Sequence, residues 1–481
     1  MQRLAAGWRS CKANSNTVRT LSEFTAPLWL LFVLHFLDSF GMFAIATNLT
    51  TYLNRVYDWS DEDANLVYAV WGATLIVGGI PTGLLIDRFG LRRAMVVGAA
   101  VGALGKVLFA MSTNVWLSLC TLFIAMPLNV GLFGSAIDIA VSYYARDEQA
   151  QTIIFGLLYA TMNLGAIFAM YGIDLALDLS AEWNGYRLLF TVGAASGVLA
   201  CFLALLFNEP EMPPDEDANS RNLTWKGYLR IFIERKFLQL CVLTLVFTGV
   251  RSIFRYMETL LVTYLTRVYP ETPYGAVIAL NPILIIPLSP IMSWVTSHGL
   301  SVYWWMVAGS LGAALSPAIV WLWPSTTVWP VRVFLIAFTI CEAIWSPQVK
   351  RWVIQESPQG KKGIYGGLIP ISTFGGNILS GVASGQLLKH YCAPPATTLL
   401  LPSENDQFRD SCRTTWLWVM LTALTTPTLL AALYKYLTAN PASAIADKRA
   451  FQALNEFPLL NEFNPDTSSH SEDGNPLEPL T

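Results

Sequence analysis

Residues 83–93 read Gly83-Leu84-Leu85-Ile86-Asp87-Arg88-Phe89-Gly90-Leu91-Arg92-Arg93, a charged turn between two apolar runs that are each long enough to cross a bilayer. The spacing Gly-x3-Asp-Arg-x-Gly-x-Arg-Arg predicts a tight loop with a glycine at a helix end and a carboxylate facing the N-terminus of a neighbouring helix. The cations beside this carboxylate favour a cytoplasmic loop. The stretch therefore indicates a membrane carrier rather than a receptor or an enzyme.

The composition extends this conclusion to the whole chain. Of its 481 residues 54% are hydrophobic and 13% are charged, and the mean hydropathy is +0.46. These values are too apolar for a soluble protein of this length. Because one span needs about 20 apolar residues, the sequence predicts an all-α membrane protein with twelve spans, near 27–52, 64–86, 93–111, 115–143, 151–173, 186–207, 237–267, 274–297, 301–323, 328–352, 363–388 and 414–438.

The distribution of Lys and Arg predicts the orientation. With the N-terminus inside, 20 of these residues fall on the inner side and 7 on the outer side, so both termini are expected in the cytoplasm. The predicted organisation is an N-tail at 1–23, a six-helix bundle at 24–207, a linker with an amphipathic segment at 208–236, a second six-helix bundle at 237–438 and a disordered tail at 439–481. The sequence leaves open whether the host membrane is plasma or endolysosomal.

Several functional classes do not fit the sequence. A net charge of −3 and the lack of a basic run with interleaved aromatic residues argue against nucleic-acid binding. We find no nucleophile motif and no His/Cys/carboxylate spacing typical of a metal site, so no enzyme activity, metal or cofactor is expected. Cys392 and Cys412 share the last outer loop, where a disulfide and two free thiols remain alternatives.

Ionisable residues inside the spans are the candidates for function, because a charge at the bilayer centre costs about 2.5–3.5 kcal/mol on insertion scales. His35 and Asp38 lie three residues apart on one face of the first helix and could form a proton-responsive pair. A single, hydrogen-bonded structural histidine is the alternative. Lys106 is expected to reach the outer interface and Asp138 to meet solvent or Arg146 at the inner end, so both are interpreted as structural.

Arg251, Arg255 and Glu258 follow one another at steps of four and three on the seventh helix, which predicts one polar stripe facing protein or a cavity. Arginine binds carboxylates and phosphates through two parallel hydrogen bonds, so an anionic or zwitterionic substrate is a natural hypothesis. The alternative is an internal Arg255–Glu258 pair, with Arg251 bridged to another helix.

Glu342 lies near the middle of the tenth helix, five residues before Pro347, which removes one backbone hydrogen bond and loosens the helix. A carboxylate there could receive a substrate ammonium group or carry a coupling proton. A structural pair with Arg251 or Arg255 competes with that interpretation.

The residues quoted from 83–93, together with twelve spans, resemble the major facilitator superfamily over about residues 27–438. Three further segments are similar to its proton-coupled oligopeptide transporter branch: Arg146-Asp147-Glu148 with Phe155, Tyr159, Asn163, Leu164 and Gly165; Leu280-Asn281-Pro282 with Pro290; and Glu342 with Ser346-Pro347. The resemblance implies that Glu342 meets a substrate amine and that Tyr159 and Asn163 line the pocket.

The chain also departs from that branch. The family carries a Glu-x-x-Glu-Arg cluster on its first helix, whereas this chain has Phe32-Val33-Leu34-His35-Phe36. A lysine expected on the fourth helix is absent, with Leu132 near its place. The scaffold can therefore be shared while peptide binding and its proton coupling differ.

The combined hypothesis is a secondary active transporter that moves a small polar solute by alternating access, as a monomer in the lipid bilayer. An amino acid, a peptide or an organic anion would suit the charged residues, with or without proton coupling. The gate at the cytoplasmic face would consist of Gly83, Asp87, Arg88, Gly90, Arg92 and Arg93, which latch the halves in the outward-open state. The alternative is a transporter-like sensor or assembly partner that no longer transports.

Overall fold

The computed structural model describes residues 25–144, 148–180, 182–208, 233–296, 300–356, 368–394 and 402–438. The expected N-tail, almost all of the linker at 208–236 and the C-tail at 439–481 lie outside these ranges.

The described residues form twelve long helical units in chain order, with no strand among them. They are α1 Ala26–Tyr57, α2 Asp61–Phe89, α3 Leu91–Met111, α4 Val115–Tyr143, α5 Glu148–Leu179, α6 Glu182–Ala204, α7 Arg235–Val246 with Thr248–Val268, α8 Tyr274–Ile278 with Leu280–Thr296, α9 Val302–Leu315 with Ala318–Leu322, α10 Trp329–Glu356, α11 Ile369–Tyr391 and α12 Pro402–Ala432. A short helix α13, Tyr434–Leu437, follows.

Nine of these helices, judged on the described residues, are long and apolar enough to cross a membrane, and the bent pair that forms α7 would make a tenth. For α2 and α11 the crossing rests on the sequence. Many large apolar side chains on the helices are exposed, among them Phe168, Leu199 and Phe202. Such an apolar surface is what a lipid-facing belt requires.

Several helices are irregular at identifiable points. The two parts of α7 meet at an angle of 42°, and α4 contains wide turns at Thr121–Ala125 and Val130–Gly134. Prolines lie inside α8, α10 and α12, where each removes one intrahelical hydrogen bond. Broken and bent helices at membrane depth are tolerated where they face protein or a cavity.

Helices on each side of the 208–236 segment pack mainly on one another. In the first group α1 packs on α5 and α6, and α3 packs on α6; in the second, α7 packs on α11 and α9 packs on α10. The two groups meet through α2 with α11, α5 with α8 and α1 with α7, and the α2–α11 contact is the most extensive of these three. We call these groups the N-half and the C-half. The bundle boundaries given above remain a prediction.

The charged turn at residues 83–93 has the expected backbone. Gly90 ends α2 and precedes α3 with φ of 83°, a conformation that glycine adopts without steric cost. Cys392 and Cys412, for which the sequence left two alternatives, are joined by a disulfide.

Candidate functional site

Four predicted site residues converge from both halves at the middle of the molecule. Glu342 lies at the centre of α10, Arg251 at the centre of α7 and Asn163 at the centre of α5, while Tyr159 lies one turn from Asn163. Because each helix spans the full thickness of the fold, these residues lie near the predicted bilayer midplane. Alternating-access carriers place their substrate sites at this depth.

Glu342 is buried, with 7% of its surface exposed, and its carboxylate has specific neighbours. Asn281 of α8 donates from Nδ2 to Glu342 Oε2 at 2.9 Å and to Thr339 Oγ1 at 3.0 Å. The Tyr159 side chain from the N-half interacts with the same carboxylate. Glu342 is therefore held from its own half by Asn281 and approached from the other half by Tyr159.

Arg251 packs on an aromatic ring, and no residue that the structure describes forms an ion pair with it. Its guanidinium carbon lies 5.1 Å from the centre of the Trp345 ring, and Trp345 in turn stacks on Phe247 with ring centres 5.4 Å apart. Arg251 Nε and Nη2 are buried and have no hydrogen-bond partner among the described residues. These two N–H groups form one edge of the guanidinium, the geometry that binds a carboxylate through two parallel bonds.

Arg255 and Glu258 have partners of their own. Arg255 Nη1 donates to both Glu258 oxygens at 3.0 Å, as the internal-pair alternative anticipated. Tyr68 of α2 donates to Glu258 Oε2 from the other half. The polar stripe on α7 is thus divided, because Arg255 and Glu258 form a contact between the halves while Arg251 keeps an unpaired edge.

The first helix differs from the expectation. His35 and Asp38 have separate partners, since His35 Nδ1 lies 3.3 Å from Thr161 Oγ1 and Asp38 Oδ1 accepts from Lys106 Nζ at 2.5 Å. The expectation that Lys106 reaches the outer interface is wrong, because this side chain is only 1% exposed. Glycines clear its path to Asp38: a Cβ built on Gly41 or Gly197 would lie 3.2 or 3.1 Å from Lys106 Cδ.

Asp138 was interpreted as structural and Lys350 as a loop charge, and the structure brings the two near each other. Both side chains are exposed although they lie on helices inside the fold, and they interact electrostatically across the two halves. Gly156 of α5 is also exposed, with open space where a Cβ would lie. We call this part of the molecule the open end. The sequence signal for Lys350 was a cation inside the predicted span 328–352. Because it lies close to the end of that span, it was interpreted as a charge of the adjoining loop.

The opposite end, where α1 and α11 end and α2 begins, is closed by ion pairs between the halves, and we call it the closed end. Arg267 donates from Nη1 and Nη2 to the two Asp61 oxygens at 2.9 and 2.8 Å, and from Nη1 to the Cys392 carbonyl at 2.6 Å. Lys389 Nζ donates to Glu62 Oε2 at 2.7 Å. Glu62 lies before the predicted apolar span, and its pKa is held below the ordinary glutamate value, chiefly by this Lys389 hydrogen bond.

A second contact at the closed end joins α5 to the start of α8. The Asp174 carboxylate accepts from the backbone N–H groups of Gly275 at 2.9 Å and Ala276 at 2.6 Å. A carboxylate at a helix N-terminus is favoured by the free N–H groups and by the helix dipole. Tyr274 next to it donates to Asn48 Oδ1 of α1 at 2.9 Å.

The predicted cytoplasmic gate lies at the open end. Arg88, Arg92 and Arg93 are exposed, and Arg92 Nη2 donates to the Leu205 carbonyl within the N-half at 2.9 Å. The surroundings of Gly83 and of the Asp87 side chain lie outside what the structure describes, so the latch between the halves stays a prediction.

Comparisons with known proteins agree on the family. A family model described as Major Facilitator Superfamily matches residues 31–381. YqjV, an uncharacterized MFS-type transporter of Bacillus subtilis, is 28% identical over 342 residues, which cover 68% of this chain and 78% of YqjV. A solved structure concerning proton-dependent oligopeptide transporters superposes with a TM-score of 0.64 at 17% identity, covering 86% of this chain and 100% of that chain.

The nucleoside transporter NupG has the same architecture. Its structure superposes with a TM-score of 0.66 at 14% identity, covering 85% of this chain and 100% of that chain. At these identities the superpositions establish the fold and leave the substrate undetermined. With the family-model match they identify a transporter, not an enzyme: the chain belongs to the major facilitator superfamily.

Proposed function

We propose that this transporter carries a small zwitterionic solute by alternating access, with the solute's ammonium group at Glu342 and its carboxylate at Arg251. The unpaired edge of Arg251 carries the proposal. A buried donor without an acceptor costs about 1–3 kcal/mol, and a substrate carboxylate would supply two acceptors at once. Because Nε and Nη2 are covered in this conformation, the carboxylate must enter with a small movement of neighbouring side chains.

The surroundings of Glu342 support an ammonium partner. Asn281 donates to one carboxylate oxygen, which leaves acceptor capacity, since an ionised carboxylate has about four lone-pair sites. Arg251 interacts electrostatically with Glu342, and no hydrogen bond joins the two side chains among the described residues. A solute with both charges could therefore bind between them and satisfy both.

The conformation fits one step of the transport cycle. With the orientation predicted from Lys and Arg, the closed end faces outward and the open end faces the cytoplasm, so this is an inward-open state. To expose the solute site to the outside, the closed-end contacts must break and an equivalent set must form at the open end. This change is needed whether the solute is released outside or taken up from outside. Each contact should be weak enough that the two states differ by only a few kcal/mol.

Relatives with known structures support a solute of this size and polarity, since they include proton-dependent oligopeptide transporters and a nucleoside transporter. Proton coupling is part of the proposal. Glu342 is its candidate carrier, because the family's acidic cluster on the first helix is absent here and Asp38 is engaged by Lys106.

The test begins with a thermal-shift screen of the purified protein against amino acids, di- and tripeptides, nucleosides, sugars and organic anions, followed by uptake into liposomes with and without a proton gradient. A solute that stabilises the protein but is never transported would favour the non-transporting alternative. Uptake that ignores the proton gradient would remove proton coupling from the proposal and leave the binding assignment intact.

The binding assignment is tested with modified forms of the solute that the screen identifies. N-acetylation should weaken binding to the parent protein by about 10- to 100-fold, the equivalent of one charged hydrogen-bonded contact, and should have little further effect on Glu342→Gln. Esterification should weaken binding to the parent protein by a similar factor and should have little further effect on binding to Arg251→Gln, which removes both the charge and the bidentate edge. Glu271→Gln, at an exposed closed-end position, is the matched control. Full sensitivity of both site variants to both modifications would refute the assignment.

A further inference from the structure

Asp138 and Lys350 occupy matching positions in the two halves. Asp138 is five residues before the end of α4 and Lys350 is six residues before the end of α10, so both lie about 8–9 Å from the open end of their helices at 1.5 Å per residue. Both are exposed, and each lies within electrostatic reach of the other. An acid on the N-half and a base on the C-half thus lie within electrostatic reach of each other at the same distance from the open end.

The two charges are not paired in the present conformation. No ion pair joins Asp138 and Lys350 among the described residues, and Lys350 Nζ lies over the Tyr159 ring, 5.7 Å from its centre. His35 of α1 and Arg251 of α7 are also within electrostatic reach of Lys350. The like charge of Arg251 makes the aromatic ring a weak holding position for this cation, because the repulsion persists while no described carboxylate forms an ion pair with it.

Tyr159 connects this cation to the substrate site. Its ring face supports Lys350, and its hydroxyl end approaches Glu342 and Arg251. A solute bound between Glu342 and Arg251 would compete for the Tyr159 hydroxyl and so displace the Tyr159 ring on which Lys350 rests. This displacement would loosen Lys350 from the ring and leave Asp138 as its nearest partner of opposite charge.

We propose that Asp138 and Lys350 form an ion pair between the halves when the open end closes, and that Tyr159 makes this closure depend on substrate. The pair would act at the open end as Asp61–Arg267 acts at the closed end, so one pair breaks as the other forms. In this proposal neither residue contacts the transported solute. Both act by holding the N-half and the C-half together at the open end. The dependence on substrate rests on the proposed function, whereas the pair itself does not.

The experiment exchanges the two charges. Asp138→Lys and Lys350→Asp are made singly and together, in a protein in which every cysteine outside the Cys392–Cys412 disulfide has been replaced: Cys11, Cys120, Cys201, Cys241 and Cys341. Ala69→Cys serves as the reporter, because Ala69 is 3% exposed at the α2–α11 contact and becomes accessible only when the closed end opens. Labelling by a membrane-impermeant maleimide from the outside then measures the outward-open population without any substrate.

Each single reversal should lower the labelling rate at least 10-fold, because two like charges resist closure of the open end, and the double exchange should recover at least half of the parent rate. Arg351→Asp is the matched control, since Arg351 is exposed beside Lys350 on α10; it should lower labelling less, and Asp138→Lys should not rescue it. A double exchange that labels no faster than the single variants refutes the pair, as does parent-like labelling of both single reversals.

Two further measurements complete the design. Asp138→Asn with Lys350→Gln removes both charges at nearly constant size, so it still reports on the pair if a reversal fails to fold: it should label more slowly than the parent and faster than either single reversal. Adding the transported solute should speed labelling of the parent and have no effect on Tyr159→Phe if the hydroxyl provides the link. Equal stimulation of both would refute the role of Tyr159, while loss of solute binding in all variants would count against the proposed function instead.

Discussion

Gly275 offers the sharpest perturbation of the conformational equilibrium, because its α-carbon lies against another helix at the closed end. A Cβ at this position would lie 1.9 Å from the Met170 carbonyl oxygen and 2.8 Å from Asp174 Oδ1. A carbon–oxygen contact is ordinarily at least about 3.3 Å. Gly275→Ala therefore requires α8 and α5 to separate by more than 1 Å, since the obstructing atom belongs to the backbone.

Such a separation would break the two hydrogen bonds that Asp174 accepts from the start of α8. Hydrogen bonds to a charged group are worth about 1.5–3 kcal/mol each, so the conformation with this end closed should lose about 3–6 kcal/mol. At 1.4 kcal/mol per factor of ten, the ratio of outward-open to inward-open protein should rise roughly 10²- to 10⁴-fold. The gain in helix propensity from Gly to Ala applies to both conformations and cancels.

Labelling of the Ala69→Cys reporter from the outside measures this ratio. Gly275→Ala should raise the labelling rate until the outward-open state dominates, and it should slow uptake because the return step becomes unfavourable. Gly156→Ala is the matched control, because nothing lies within 4 Å of its Cβ. Parent-like labelling of Gly275→Ala would refute the reasoning, since it would mean that the close approach of α5 and α8 does not hold this end closed.

Three further predictions concern charged pairs. Asp38→Asn should lower the free energy of unfolding by about 3–5 kcal/mol, because it leaves Lys106 buried without its partner, and Asp38→Asn with Lys106→Met should recover most of the loss in a thermal-unfolding assay; no recovery would contradict the buried pair. Arg267→Lys should increase labelling of the reporter by about 10-fold, because an ammonium group cannot form the two parallel bonds to Asp61. The lowered pKa of Glu62 means that its hydrogen bond with Lys389 is fully present above the ordinary glutamate pKa of about 4.3 and is lost as pH falls through the lowered value. The ratio of the reporter labelling rates of the parent and Glu62→Gln should therefore stay constant when the outside pH is changed between about 8 and 5. A ratio that varies over that range would contradict the lowered pKa of Glu62.

The sequence predicted the elements of the fold because a bilayer imposes length and apolarity on each span. It also placed Glu342 correctly at the centre of a helix, since an acid inside an apolar run has few other interpretations. The sequence could not show which way the Lys106 side chain points. A lysine at this position of the helix can either extend to the membrane interface or turn inward and pair with Asp38. The glycines at 41 and 197 carry the signal that was missed: they leave room for the lysine stem between α1, α3 and α6.

The α7 stripe shows why the roles of neighbouring charges depend on the other half of the chain. Arg251 and Arg255 are one turn apart and equivalent by spacing, yet Arg255 is satisfied by Glu258, whose second contact is Tyr68, 190 residues away in sequence. A local pattern cannot contain that contact, because the partner comes from the other half of the chain. In the proposed outward-open state α2 would move away from α7, and Glu258 would lose Tyr68 but keep Arg255, so the closed end would open without leaving an unpaired charge. Among the described residues, Arg251 Nε and Nη2 have no such partner, and in the proposed function the solute carboxylate would supply it. In that proposal one helix carries both a contact between the halves that breaks at low cost and a binding group that is satisfied only when the solute binds.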